Sequence, residues 1–208
     1  MQFSLEGKMC RTEVFCTDKQ ASMAETGGGK FPLVFVFMGE YTDELHHRLK
    51  EFIMPQIEAG VVKPFVAAAF GPADWDADYS PWYVKTDSGR EFAGNAPQYL
   101  DFLQHCMLPY LERTLPLSKT VYTMGYSLGG LAALYYYLEL GFAGCISCSG
   151  FPCGIRDFQD YCREQIEKKL QEKEMRIKDS VYFSLGGKEK EYNRSINVPY
   201  RRRYQMDI

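Results

Sequence analysis

Several protein classes are excluded by what this sequence has little of. No stretch reaches the roughly 18 consecutive apolar residues that a membrane-spanning helix requires. The longest candidate, Leu128 to Leu138, is too short and reads as a buried helix. Charge of one sign is also scarce. The formal net charge is −3 and the one basic run, Arg201 to Arg203, is short, so the concentrated positive field of a nucleic-acid binder is missing. Neither a nucleic acid nor a membrane is expected as a partner. The opening residues Met1 to Thr17 carry Glu6, Lys8, Arg11 and Glu13. They leave no apolar core for a secretion signal, and a cytoplasmic location is expected. Histidine is limited to His46, His47 and His105, and the adjacent pair lacks suitably spaced partners for a metal ion. The seven cysteines are an odd number, scattered from Cys10 to Cys162, and are expected to be reduced thiols. Cys145 and Cys148 form a C-x-x-C, but inside a strand-like run their side chains point to opposite faces. Core packing is expected there rather than redox or metal chemistry.

What is present is an ordinary globular composition, 46% hydrophobic and 25% charged, with a high aromatic share of 15%. A chain of 208 residues fits one domain, read here as residues 1–208. Phe3 to Leu5 and Arg11 to Thr17 read as an opening hairpin around Glu6, Gly7 and Lys8. The glycines Gly27 to Gly29 mark a turn and not a phosphate loop, because no G-K-[ST] follows. Leu33 to Met38 is a continuous apolar run without alternation, as expected for a strand covered on both faces. Similar runs recur at Pro64 to Phe70, Thr120 to Met124, Ala143 to Cys148 and Val181 to Leu185. Helical patterns lie between them: Thr42 to Glu58, Asn95 to Thr114, Ser127 to Glu139 and Ile155 to Met175. In the second helix, Tyr99, Phe102, Leu103, Cys106, Leu108 and Leu111 predict an apolar stripe, with Asn95 as its cap. Strand alternating with helix is the signature of a mostly parallel α/β sheet with helices on both faces. Between Gly71 and Gly94 lies a long, turn-rich segment containing Trp75, Tyr79, Trp82, Tyr83 and Phe92. Such segments at strand ends often shape binding sites.

The chemistry centres on Gly125-Tyr126-Ser127-Leu128-Gly129. This G-x-S-x-G follows an apolar strand and opens a helix, the setting of a nucleophile elbow. The turn is so tight that side chains two before and two after the serine would collide with neighbouring backbone. The second glycine, Gly130, lets the helix lie close to the sheet. The bland alternative is a strand-to-helix turn with an N-capping serine. As a nucleophile, Ser127 would have the N–H of Leu128 as one oxyanion donor, at the positive end of the new helix. The second donor is expected after the Leu33 to Met38 strand, from Glu40 or Tyr41. Chain order puts the acid past the Val181 to Leu185 strand, where Glu189 follows Gly186-Gly187-Lys188. Glu191 is the alternative. A catalytic histidine should come later still, yet all three histidines precede Ser127. Without a base a serine hydroxyl is a poor nucleophile.

Five segments in order resemble the Putative esterase family of α/β hydrolases, the group related to enterochelin esterases and S-formylglutathione hydrolases. They are Trp75 to Trp82, Phe92 to Leu100, Gly125 to Leu134, Ser147 to Gly150 and Tyr182 to Glu189. The resemblance implies an α/β-hydrolase fold and a cofactor-independent carboxylesterase acting on a small-molecule ester. Ser127 would be its nucleophile and Glu189 its acid. Apart from the resemblance, the aromatic segment suggests Trp75 and Trp82, with Tyr126 of the elbow, for the substrate pocket, although core packing explains the same aromatic residues equally well. Family members continue with a glycine-asparagine-histidine segment and a closing strand and helix, which the tail from Tyr192 to Ile208 does not resemble. The expectation is therefore a C-terminally incomplete domain, shortened by truncation, frameshift or preparation, or one that has abandoned catalysis. In that last case it would be a silent binding protein. Loss of the last strand would leave Val181 to Leu185 as an open edge, with a homodimer through that edge as one outcome.

Overall fold

A computed structural model describes residues 2–5, 8–15, 30–38, 47–72, 74–86, 89–150, 157–171 and 180–184. The strands are β1 (Gln2–Leu5), β2 (Lys8–Phe15), β3 (Phe31–Phe37), β4 (Val66–Gly71), β5 (Tyr83–Lys85), β6 (Glu91–Ala93), β7 (Leu117–Tyr126), β8 (Gly144–Cys148) and β9 (Ser180–Ser184). Seven of them form one sheet in the order β1-β2-β4-β3-β7-β8-β9. From β4 to β9 every neighbouring pair is parallel, and β2 joins β4 antiparallel as one arm of the opening hairpin. The expected α/β architecture and the expected strands are all present.

The parallel strands earn their positions through residues that tolerate cover on both sides. Every residue of β4 is buried, and its three alanines let flanking strands and helices approach closely. Alternate residues of β3, Phe31, Leu33, Phe35 and Phe37, enter the larger core. Val34 and Val36 face a smaller cluster with Phe15, Leu49 and Ala67.

Two helices carry a feature that periodicity did not predict. The first, α1, is already helical at His47 and Arg48, passes through a π turn over Leu49–Ile53 and continues as Met54–Glu58. Helix α3 runs from Ala96–Phe102 through a π turn, Leu103–Met107, into Leu108–Thr114. In each case the residue just after the π turn, Met54 or Leu108, donates its N–H five residues back, to the carbonyl of Leu49 or Leu103. The next residue is a proline in both, Pro55 and Pro109. A helical proline lacks an N–H and its ring meets the carbonyl four residues before it, and a widened turn relieves that contact.

The extra residue in the turn also corrects the predicted stripe. Cys106 is exposed and Met107 is fully buried in its place, because the π turn advances the buried face by one position. Tyr99, Phe102, Leu103 and Leu111 are buried as expected, while Leu108 is only partly so.

The long aromatic segment is not an open loop. It contains a short helix α2 (Trp75–Asp78), capped by Asp74, whose side chain accepts from the N–H groups of Asp76 and Ala77. It also contains the two-stranded hairpin β5–β6. Buried Asp78 fixes it, accepting from the Asp74 N–H at 2.8 Å, the Tyr99 hydroxyl at 2.7 Å and Asn95 Nδ2 at 3.4 Å. Asn95 does occupy the position before α3, but its side chain makes no cap bond and serves Asp78 instead.

Candidate active site

The apolar strand β7 ends at Tyr126, and helix α4 (Leu128–Leu140) begins two residues later, with Ser127 alone between them. The backbone of Ser127 has φ 55° and ψ −127°. An N-capping serine would sit in the β region and accept an N–H with its hydroxyl. Ser127 does neither, for it makes no side-chain cap bond. It is instead a non-glycine residue held at positive φ, a strained state that persists only where the surroundings enforce it.

The surroundings are visible in the glycines. A Cβ on Gly125 would overlap the carbonyl of Gly129, and one on Gly129 would overlap the carbonyl of Phe37 on β3. Thus the glycines two before and two after Ser127 close on each other and on the sheet, as the motif predicts. Across the turn the Ser127 N–H donates to the Cys148 carbonyl at 2.8 Å, and the Ser127 carbonyl accepts from the N–H groups of Gly130 at 2.9 Å and Leu131 at 3.1 Å. Tyr126 and Ser127 are exposed and Leu128 is half-buried. The Leu128 N–H lies in the first turn of α4, where backbone donors have no intrahelical acceptor and the helix dipole is positive.

The sheet register brings other strand ends to the same edge. Phe37 is paired with Gly125, Tyr126 with Cys148, and Cys148 with Ser184. The chain therefore leaves β3 beside the elbow, held by the Tyr79 hydroxyl, which donates to the Phe70 carbonyl at 2.6 Å and to that of Met38 at 3.0 Å. Burial pushes the Tyr79 phenol well above its ordinary range, so it remains a neutral donor. Glu40, Tyr41, Glu189 and Glu191 lie outside the described residues, as does His46.

Of the predicted pocket residues, Tyr126 stands directly beside Ser127 and is 68% exposed. Trp75 and Trp82 are half-buried and engaged in packing. The Trp75 ring lies 5.0 Å from that of Tyr79, and the Trp82 ring lies 6.0 and 5.5 Å from those of Phe158 and Tyr161 on helix α5 (Phe158–Gln171). Both described histidines face solvent and pair with a carboxylate one turn away on their own helices, His47 with Glu51 at 3.6 Å and His105 with Asp101 at 3.0 Å. Cys145 is buried in the core while Cys148 is partly exposed, on opposite faces of β8 as predicted. Burial pushes the Cys145 thiol up to about 12. It therefore stays protonated near neutrality.

Periodicity and motif did not single out the contribution of β8. Its carbonyl at Cys148 holds the Ser127 N–H, and its buried Ser147 hydroxyl donates to the Gly130 carbonyl at 2.9 Å. The signal available in the sequence was a pair of serines and a glycine, Ser147, Ser149 and Gly150, interrupting an apolar strand end.

The fold has solved counterparts. The siderophore hydrolase EstA of Aspergillus nidulans superposes with a TM-score of 0.72 at 16% identity, over 100% of this chain and 72% of that one. FphF of Staphylococcus aureus, a fluorophosphonate-binding serine hydrolase, gives 0.53 at 16% identity, over 97% and 87% of the two chains. The S-formylglutathione hydrolase FrmB of the same organism gives 0.56 at 15% identity, over 97% and 84%. At these identities the likeness establishes the α/β-hydrolase fold. No curated protein matches the chain. The family model described as Putative esterase matches residues 20–203, a span that includes β3 to β9 and the whole elbow. The chain belongs to that family of hydrolases.

Proposed function

We propose that this hydrolase cleaves carboxylic esters of small molecules through an acyl-enzyme on Ser127. The observation that carries the reading is the state of Ser127 itself, exposed, at positive φ and without a capping bond. A serine held at positive φ in a tight strand-to-helix turn, exposed and without a cap bond, is what a nucleophile elbow requires. In the reaction the Ser127 oxygen attacks the ester carbonyl, the alcohol leaves with a proton, and water then releases the acid. The Leu128 N–H, together with one from Glu40 or Tyr41, would hold the oxyanion. Glu189 takes the acid position, and Tyr126, with Trp75 and Trp82, borders the substrate. The chemistry needs no cofactor. Among the described residues β9 is paired only with β8, and a homodimer through that edge is part of the same proposal, read by light scattering.

The second reading is a catalytically silent binding protein on the same scaffold. One observation favours it: the two described histidines face solvent and are engaged with their own helices. Labelling with a fluorophosphonate, read by intact mass and compared with Ser127→Ala, separates the two. One adduct on the unmodified sequence and none on the variant is the result expected for the esterase. A folded protein that takes no adduct, and does not hydrolyse p-nitrophenyl butyrate, would leave the binding reading in its place.

A further inference from the structure

Two buried hydroxyls fasten α4 to the sheet. Thr123 on β7 donates to the Ala133 carbonyl at 2.8 Å, and Ser147 on β8 donates to the Gly130 carbonyl at 2.9 Å. Both side chains are almost inaccessible, 0% and 2% exposed, where an unbonded hydroxyl would be costly. Gly130 and Ala133 are three residues apart, hence on one face of the helix. Chemically the two pegs are alike. They differ in what surrounds them.

Around Ser147 the chain is locked to the elbow. The next residue, Cys148, accepts the Ser127 N–H. A Cβ on Gly150 would overlap both the Ser147 hydroxyl and Gly130, and one on Gly130 would lie 2.9 Å from both the Cys148 carbonyl and the Gly150 Cα. Between them Ser149 has φ 48°, and its N–H donates to the Ser184 carbonyl at 2.7 Å. The end of β8 is thus a second strained turn pressed against the first. Thr123, whose acceptor Ala133 lies one helical turn further along α4, has no such link to Ser127 among the described residues.

We propose that Ser147 is a positioning residue for Ser127. Through the Gly130 carbonyl its hydroxyl fixes the first turn of α4, and so the direction in which the Ser127 hydroxyl and the Leu128 N–H meet an ester. The proposal rests on the reading of Ser127 as nucleophile for its kinetic consequence, but its structural consequence stands apart from that reading.

The test compares Ser147→Ala with Thr123→Val, each of which deletes one peg. Both should lower the urea midpoint by similar amounts. Only Ser147→Ala should slow the fluorophosphonate reaction and reduce kcat for p-nitrophenyl butyrate, by about tenfold, with KM unchanged, because misorientation penalises the reacting geometry and not binding. Amide exchange should quicken at Ser127, Gly130 and Leu131 in Ser147→Ala, and around Tyr137 in Thr123→Val. Ser147→Cys, which keeps the volume with a weaker donor, should show a smaller loss of the same kind and serves if the alanine variant does not fold. Equal kinetic losses in the two variants, or unchanged exchange at Ser127 in Ser147→Ala, would overturn the proposal. If the unmodified protein neither labels nor hydrolyses, the nucleophile reading fails and the exchange comparison alone decides whether Ser147 positions the turn.

Discussion

On the face of the sheet that carries Phe35 and Phe37, helices α3, α4 and α5 bury a continuous core that extends from Phe31 to Phe158. On the face that carries Val34 and Val36, the described contacts come from α1, through Leu49, Ile53 and Met54. The contrast sharpens along one row of that second face. Val36, Met124, Ile146 and Tyr182 are paired side by side across four strands, and exposure rises along it from 4% at Val36 to 37% at Ile146 and 58% at Tyr182. Among the described residues, the contacts that fasten α4 behind the elbow belong to the first face: Gly129 against Phe37, and Thr123 and Ser147 against α4. The heavily packed face therefore fixes where the serine stands, and the lightly packed one contributes mainly stability.

The difference can be broken or sharpened by substitution. The largest effect is expected from Phe37→Ala, which removes a ring in contact with those of Phe35, Phe70, Tyr79 and Tyr136. A loss of about 3 to 5 kcal/mol is expected, read from the urea midpoint at unchanged slope, with fluorophosphonate labelling lost as the elbow loosens. Leu49→Ala, on the opposite face, should cost about 2 kcal/mol and leave the labelling rate of the folded fraction as it was. If Leu49→Ala impaired labelling as much as Phe37→Ala, the division of labour between the faces would be wrong. Tyr79→Phe keeps the ring contacts with Phe37 and Trp75 but deletes the donor to the Phe70 and Met38 carbonyls. Calorimetry should show a loss of about 1 kcal/mol. Smallest of all, Ile146→Thr should change stability by less than about 0.5 kcal/mol, and a larger loss would mean that this end of the second face is covered.

Much of this architecture was legible because buried parallel strands leave little choice of residue. Runs such as Leu33 to Met38 and Ala143 to Cys148 have no polar alternation and could hardly be anything else. The elbow was legible because its glycines are steric necessities, each facing a backbone carbonyl. Less visible were features that depend on long-range partners. Ser147 looks like any strand serine until α4 presents Gly130 to it. Asn95 had the right position for a cap, yet Asp78, 17 residues away along the chain, claimed its side chain. The stripe on α3 failed at Cys106 because periodicity assumes a uniform turn, although Pro109 was the available sign that the turn before it would widen. Trp75 and Trp82 were proposed for the pocket by composition, and their ring contacts show how the same residues also serve the core. The donors and acid assigned to Glu40, Tyr41 and Glu189 lie outside the described residues.

The widened turn in α3 has a practical side. By taking up one residue more than an α-helix would, it turns a position that periodicity assigns to the interior into a surface handle. Cys106 is exposed, whereas Cys145 is buried and Cys148 and Cys162 are partly shielded. A maleimide dye or spin label placed there would report on the protein from outside its core, on a helix whose other side packs against the sheet that carries Ser127.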